Sequence, residues 1–324
     1  MIDPKVQWPD DTPWDPRLYV PNIEFYITNI CNIACTNCNR YNNYNFTGHQ
    51  LWQDYESIYE AWSEKIRLQK ITILGGEPLM NPSICDWIRG LNRIWKKRVN
   101  LLTNGTRLSK VPGLYDAIVS YIPVSGNRNG DSNWIGVSVH NTNELDRYLE
   151  EIHKFLQGPV KSWIGKDALN DQGELATWGA DYAFEDSNGL HVHVWIYNSF
   201  YNANIHRNPR GNLTLHNSLP EQAHAVCGMV KYKNYHFIRG KLHKCGPVGL
   251  MPEFDQQHPL DISAEDRVLL NSYRPLSIDE FNQRGVNFIS HIDDVIPQCK
   301  FCPTKFTNQQ LIAVSKKRGA TTVF

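Results

Sequence analysis

Between residues 23 and 216 the chain switches repeatedly between two hydrophobic periods. IEFYITN (23–29) alternates, with Ile23, Phe25 and Ile27 on one side and Glu24, Tyr26 and Thr28 on the other, the two-residue period of a strand. QLWQDYESIYEAWSEKI (50–66) places Leu51, Tyr55, Ile58, Tyr59 and Trp62 on one helical face. ITILGG (71–76) is a strand again. Asn81 then caps a helix with Pro82 in its first position, running to about Lys97. VNLLTNGT (99–106), WIGVSVH (134–140), HVHVWIY (191–197) and NLTLH (212–216) complete six strands, with a helix over 143–157 between the fourth and fifth. The stretch 121–133 is loose, and 158–189 is Gly-rich, polar and hard to place. Strand and helix in repetition predict an α/β fold with a parallel sheet and outer helices.

The alternation also predicts what the two sheet faces do. Ile135, Val137 and Val139, like Val192, Val194 and Ile196, suit the helix side. Their alternates are Ser138 and His140, then His191, His193, Trp195 and Tyr197; in NLTLH, Thr214 and His216 alternate with leucines. A packed barrel lumen is aliphatic. A polar, aromatic one is suited to holding ligands, although plain solvent exposure gives the same pattern.

Composition changes this picture little. The 324 residues are 41% hydrophobic and 20% charged, with no net charge, so neither a nucleic-acid nor a membrane surface is expected. No apolar run approaches the roughly 20 residues of a membrane span, and MIDPKVQWPDDTPWDP has no apolar signal segment. A cytoplasmic location is expected, where thiols stay reduced. Residues 1–22, rich in proline, are expected to form an extended arm.

The eight cysteines then matter as thiols. Cys31, Cys35 and Cys38 form CxxxCxxC directly after the first strand. Three thiolates at this spacing can hold three irons of a [4Fe–4S] cluster and leave the fourth open. One helix later comes GGEP, Gly75 to Pro78. Its glycines permit close backbone approach, Glu77 supplies a carboxylate, and Pro78 fixes the chain direction. Cys227, Cys245, Cys299 and Cys302 form a second group. Cys85 stands alone and suits a small buried hydrophobe.

With these motifs the chain resembles the radical S-adenosylmethionine (SAM) enzymes. The resemblance implies a partial (β/α)6 barrel. It makes Cys31, Cys35 and Cys38 the ligands of a SAM-binding [4Fe–4S] cluster. It makes Gly75, Gly76, Glu77 and Pro78 contacts for the methionine end of SAM, with Asn104 and Ser138 as further contacts. A reducing donor such as flavodoxin or ferredoxin is implied too. One departure is Asn37, where the family usually has a bulky apolar residue beside adenine; Tyr41 could compensate.

MVKYKNYHFI and RGKLHKC read as a β-hairpin with a Gly turn. SIDEFNQ, with Ser277 and Glu280 as a capping box, starts a helix. Together with Cys299-Lys-Phe-Cys302 this resembles the small α+β twitch domain, a shortened SPASM extension. The resemblance implies an auxiliary [4Fe–4S] cluster held by all four cysteines. The expected organisation is therefore an arm (1–22), a radical SAM partial barrel (23–222), a twitch domain (223–306) and a tail (307–324).

The implied activity is oxidation of a small hydroxylated substrate, such as a sugar, cyclitol or nucleoside, with the auxiliary cluster taking an electron. His140, His193 and Tyr197 are the candidate proton acceptors, and each equally suits packing. Peptide or protein modification is the alternative; the 30 residues before Cys31 are short for a leader-binding domain. A non-catalytic zinc protein is the third reading, since CxxxCxxC with a distant CxxC also suits zinc.

Overall fold

The computed structural model describes residues 15–121, 134–164, 178–197, 199–201, 203–305, 308–310 and 313–315. Side chains are not described at 142, 164, 178–181, 197, 199–201, 308–310 and 313–315. In chain order the first half holds β1 (Leu18–Tyr26), β2 (Ile33–Cys35), α1 (Trp52–Ser63), β3 (Ile66–Leu74), α2 (Ile84–Trp95), β4 (Val99–Thr103), α3 (Leu114–Val119), β5 (Trp134–Val139) and α4 (Leu145–Phe155). Six strands follow: β6 (Lys161–Ile164), β7 (Trp178–Glu185), β8 (His191–Tyr197), β9 (Ser199–Tyr201), β10 (Ile205–Arg207) and β11 (Leu213–Leu215). The last part holds α5 (Pro220–Ala225), α6 (Gly228–Lys231), β12 (Asn234–Ile238), β13 (Lys241–His243), α7 (Gly246–Gln257), α8 (Ala264–Asn271), α9 (Phe281–Ser290), β14 (Asn308–Gln310) and β15 (Ala313–Ser315).

One nine-stranded sheet organises these elements, in the order β13-β12-β1-β3-β4-β5-β8-β7-β6. Every neighbouring pair from β12 through β8 is parallel, and the two edges are antiparallel. The α/β fold with a mostly parallel central sheet is as read from the periodicity. Its sixth parallel strand is not. NLTLH forms β11 and among the described residues pairs only with β10, away from the main sheet. The place beside β1 is taken by β12, which comes from the region read as the twitch hairpin. That hairpin is real, turning at Arg239 and Gly240, both at positive φ as a two-residue turn of this kind requires. It is welded to the sheet: Trp62 on α1 donates its indole N–H to the Gly240 carbonyl at 2.9 Å.

Several boundaries also moved. The region expected to be an arm already contributes residues 18–22 to β1, paired with β3 from Leu18 opposite Ile66; residues 1–14 lie outside the described residues. Pro21 is tolerated because β12 begins pairing only at Asn22, leaving that part of β1 with a free edge. Asn81 does not cap α2. It ties the chain together instead, donating to the carbonyls of Ile27 and Gln50 while accepting from Ser83. The helix expected from Ser277 starts at Phe281, and the Ser277 hydroxyl donates to Glu280 at 2.9 Å. Within 158–189, β6 and β7 extend the sheet antiparallel to β8.

The core lies between the sheet and its helices. Phe25 sits at its centre, with the rings of Tyr59, Trp95 and Phe237 at 5.1, 5.5 and 5.1 Å. Burying such rings, at roughly 25 cal/mol per Å² of apolar area, fixes which face of each strand looks outward to the helices. By alternation the opposite face carries Glu24, Tyr26, Thr72, Ser138, His193, Trp195 and His236. The sheet thus presents a polar and aromatic lumen.

Candidate active site

The first cysteine group grows directly from the end of β1. Cys31 and Cys35 are buried, Cys38 is half-buried, and the three pack together around Ile33. Holding them needs unusual backbone: Asn37, Tyr41 and Asn45 all have φ between 55° and 62°. Asparagine accepts this left-handed region readily, whereas a bulky tyrosine pays for it. The strain at Tyr41 is over-determined by packing, since its ring is fully buried against Phe254 at 5.1 Å. Tyr41 therefore faces the interior, against Phe254.

GGEP is the counterpart of this loop. The Gly76 N–H donates to the Thr28 carbonyl at 2.7 Å, and the Glu77 N–H to that of Ile30 at 2.8 Å. A Cβ on Gly75 would lie 2.7 Å from the Thr28 oxygen, and one on Gly76 2.5 Å from the Ile30 oxygen. The two glycines thus let two backbones meet just before Cys31. Glu77 is fully buried. It accepts from Thr103 Oγ1 at 2.6 Å, the Leu79 N–H at 3.0 Å and the Asn104 N–H at 2.7 Å. Burial pushes its carboxyl up to about 7, against the pull of those three donors. In this structure the carboxylate clamps the turn to the end of β4. Pro78 opens the short 3-10 turn Pro78–Met80. Asn104 reaches the cysteines, with Nδ2 at 3.7 Å from Cys31 Sγ and 2.9 Å from Asn32 Oδ1.

The chain's C-terminal part returns to this loop, which the sequence reading missed. Ala313–Ser315 pairs antiparallel with β2, placing Ala313 opposite Cys35, and Asn308–Gln310 pairs with β9. Three-residue strands of this kind carry too short an alternation to be recognised.

In the lumen, Ser138 and Trp195 are paired neighbours on β5 and β8. His193 lies between His191 and Trp195, stacked on each at 6.3 Å. His140, at the end of β5, is pushed down to about 4 by burial, so its ring is neutral at pH 7. Tyr197 ends β8, and its side chain lies outside the described residues. Glu24 is held by Arg40 at 3.1 Å and His236 at 2.8 Å. Burial works to raise its carboxyl, but His236, Arg40 and Lys70 together hold it below the usual range. The sequence reading did not single out Glu24 or Arg40. A charged residue on the inner side of the first strand, and another two positions after the third cysteine, were the available signals.

The second cysteine group comes from three places in the chain. Cys227 precedes α6, Cys245 precedes α7, Cys299 lies in the 3-10 turn Pro297–Phe301, and Cys302 ends that turn. Burial raises the Cys245 thiol to about 12, and Cys227 and Cys299 add to it. Burial likewise raises Cys302, helped by all three of the others. The four thiols, each half-buried, thus lie close enough to act on one another. Asn204 donates to Cys302 Sγ at 2.9 Å. Cys85 is apart from both groups, its thiol 3.6 Å from the Pro112 carbonyl. Among the described residues, no three His, Cys, Asp or Glu side chains are arranged to hold a single metal ion.

Between the two groups run Tyr26, Arg40 and Tyr41. Cys38 and Cys31 contribute to raising the Tyr26 hydroxyl, after burial; Cys302 and Cys245 do the same for Tyr41. Arg40 lies over the Tyr26 ring at 5.9 Å. Both hydroxyls, and Asn42 Oδ1, are buried with no hydrogen-bond partner among the described residues. An orphaned buried polar group costs about 1–3 kcal/mol. Three of them beside gathered thiols fit sites in which sulfur and a polar ligand complete the shell.

Comparison with known proteins finds likenesses that span the first group. The Radical SAM superfamily profile matches across Cys31, Cys35, Cys38 and GGEP. Residues 25–163 match the Radical SAM superfamily. A radical SAM region implies SAM and a SAM-binding [4Fe–4S] cluster. Among curated proteins, a probable GTP 3',8-cyclase of Methanocaldococcus jannaschii is 30% identical over 107 residues, 33% of this chain and 36% of that protein. A GTP 3',8-cyclase of Clostridium perfringens is 28% identical over 149 residues, 45% of this chain and 46% of that one. The chain thus spans less than half the length of these relatives. The crystal structure of Streptococcus suis SuiB bound to S-adenosylmethionine aligns at 16% identity and TM-score 0.23, over 43% of this chain and 37% of SuiB. Among the described residues no helix is long and apolar enough to cross a membrane.

Proposed function

We propose that this chain is a radical SAM enzyme that oxidises a small hydroxylated molecule of the sugar, cyclitol or nucleoside kind. In this reading the second cysteine group holds an auxiliary [4Fe–4S] cluster, as in a twitch domain, that accepts an electron. The observation that carries the reading is the gathering of four half-buried thiols from three separate elements, beside a polar lumen. When bound and reduced, the first cluster with SAM supplies a 5'-deoxyadenosyl radical able to take a hydrogen atom from an unactivated C–H bond.

The chain's own residues do the rest. Cys31, Cys35 and Cys38 hold three positions, and Asn104 directs an amide N–H towards Cys31. Gly75 and Gly76 bring the GGEP backbone against the loop, and Glu77 keeps β4 beside it. The lumen orients the substrate and excludes competing hydrogen donors. An alcohol carbon that has lost one hydrogen atom becomes a carbonyl by losing one electron and one proton. In this reading the four-thiol group takes the electron. His140, neutral at pH 7, and His193 are suited to the proton.

A second reading, action on a purine nucleotide, is favoured by the names of the curated relatives. Anaerobic turnover with substrates deuterated at one carbon separates the readings. Deuterium appearing in 5'-deoxyadenosine from a polyol, with a two-mass-unit oxidation of that polyol, supports oxidation. Deuterium arriving only from a nucleotide that keeps its oxidation level, or only from a peptide, overturns it.

A further inference from the structure

We infer that the lumen binds a small hydroxylated ring carrying one anionic group, with the anion at the end of the strands far from the cysteines. The inference rests on the reading of the lumen as the substrate site, and it names what that substrate carries. A cavity of about 240 Å³ is lined by Glu24, Lys70, Thr72, Trp134, Ser138 and Trp195, among others. Trp134 and Trp195 meet edge to face at 5.5 Å. They close over Gly136, where a Cβ would lie 2.3 Å from Trp195 and 2.6 Å from Trp134. Indole faces of this kind take the C–H face of a saturated ring.

The polar groups around the cavity are only partly committed. Arg40 and His236 both hold Oε2 of Glu24, and among the described residues no hydrogen bond uses Oε1. The hydroxyls of Thr72 and Ser138 likewise make none there. A carboxylate oxygen and two hydroxyls are acceptors and donors matched to ring hydroxyls. Lys70 is exposed, and its ammonium lies 4.9 Å over the Trp134 ring without an ion pair among the described residues. It stands two residues before Thr72 on β3, towards the strand N-terminus, whereas GGEP and the cysteine loops lie past the C-termini. A neutral ring leaves this ammonium to water, the Trp134 face and the more distant pull of Glu24, and a cationic one is repelled by it. A phosphate or carboxylate on the ring satisfies it.

Arg40 links this cavity to the radical SAM region. It lies two residues after Cys38 and grips the same carboxylate whose other oxygen faces the ligand. A hydroxyl held by Glu24 is therefore the part of the ring tied to the cysteine loop, and the anionic end points away.

Calorimetry on the anaerobically reconstituted protein tests this, with glucose and glucose 6-phosphate as probes. The wild type should bind the phosphate about tenfold more tightly than the neutral sugar, a difference of about 1.4 kcal/mol. Lys70→Met, at an exposed position, should erase that preference, with the phosphate losing far more affinity than glucose. Trp195→Leu should weaken both. Equal affinities in the wild type, preference retained in Lys70→Met, or no binding of either sugar overturns the site. Binding requires no radical chemistry, so the two readings fail separately. Sugars that bind as stated but never pass deuterium to 5'-deoxyadenosine sink the proposed oxidation alone. Deuterium transfer whose KM is untouched by Lys70→Met and Trp195→Leu sinks the site alone.

Discussion

The two cysteine groups present the same side chain in different settings. The first is a single loop, three thiols within eight residues, held by strained backbone and by a glycine turn pressed against it. The second draws four thiols from elements as far apart as Cys227 and Cys302, each near the end of a helix or turn. A loop with three ligands leaves one direction free, which is what a chelating cosubstrate requires. On the proposed reading, four ligands from a packed shell leave none, which suits a group that only stores and passes charge. Number of ligands and closure of the surroundings, more than the thiols themselves, separate chemistry from electron traffic.

The sharpest way to break this comparison is to remove one thiol from each group. Cys35→Ala should abolish SAM-derived 5'-deoxyadenosine on reduction with dithionite. Cys302→Ala should leave that cleavage measurable and stop substrate oxidation. If both variants lose cleavage equally after refolding controls, the division of labour fails. Next in size is Gly76→Ala, whose Cβ would press on backbone at 2.5 Å and on Asn42 Oδ1 at 2.6 Å. Strain of this kind costs about 1–3 kcal/mol, read as a lower denaturation midpoint, with cluster loading at the first group impaired and the second spared.

Glu77 sharpens the comparison through pH. Its carboxyl is raised by burial to about 7 in the folded chain, above its usual value. The native state therefore holds a proton that the unfolded state has already released. Stability from this group is present at low pH and declines as pH rises from about 4.5 to 7. Urea midpoints of wild type minus Glu77→Gln should fall across that window, and a flat difference would show that the carboxyl titrates normally. The smallest effect belongs to Asn204→Ala. It removes the donor to Cys302 and should lower the potential of the second group with little change in SAM cleavage, read by redox-poised electron paramagnetic resonance.

Much of this arrangement was legible in the chain, for reasons visible in particular residues. Strict alternation around Phe25, Val137 and Val194 placed the buried and lumen faces, because one side must bury apolar area. CxxxCxxC and GGEP announced themselves because local spacing is enough to bring them together. The partner of β1 was not legible. NYHFI and NLTLH are both short alternating runs, and only tertiary packing of Phe237 against Phe25 and Trp62 selects the first for the sheet. The role of Glu77 escaped for a similar reason: three donors that bury its carboxylate come from residues 79, 103 and 104, and no spacing rule joins them. The strap formed by β15 on the cysteine loop depends on three residues paired nearly three hundred positions away.

One measurement bears most directly on the claim that the chain builds two separate iron–sulfur sites. Iron and acid-labile sulfide are counted per chain in the anaerobically reconstituted wild type and in a variant with Cys31, Cys35 and Cys38 all replaced by alanine. Two cubane sites predict about eight of each in the wild type and about four in the variant. Zinc in place of iron, or a variant that retains none, would contradict the account.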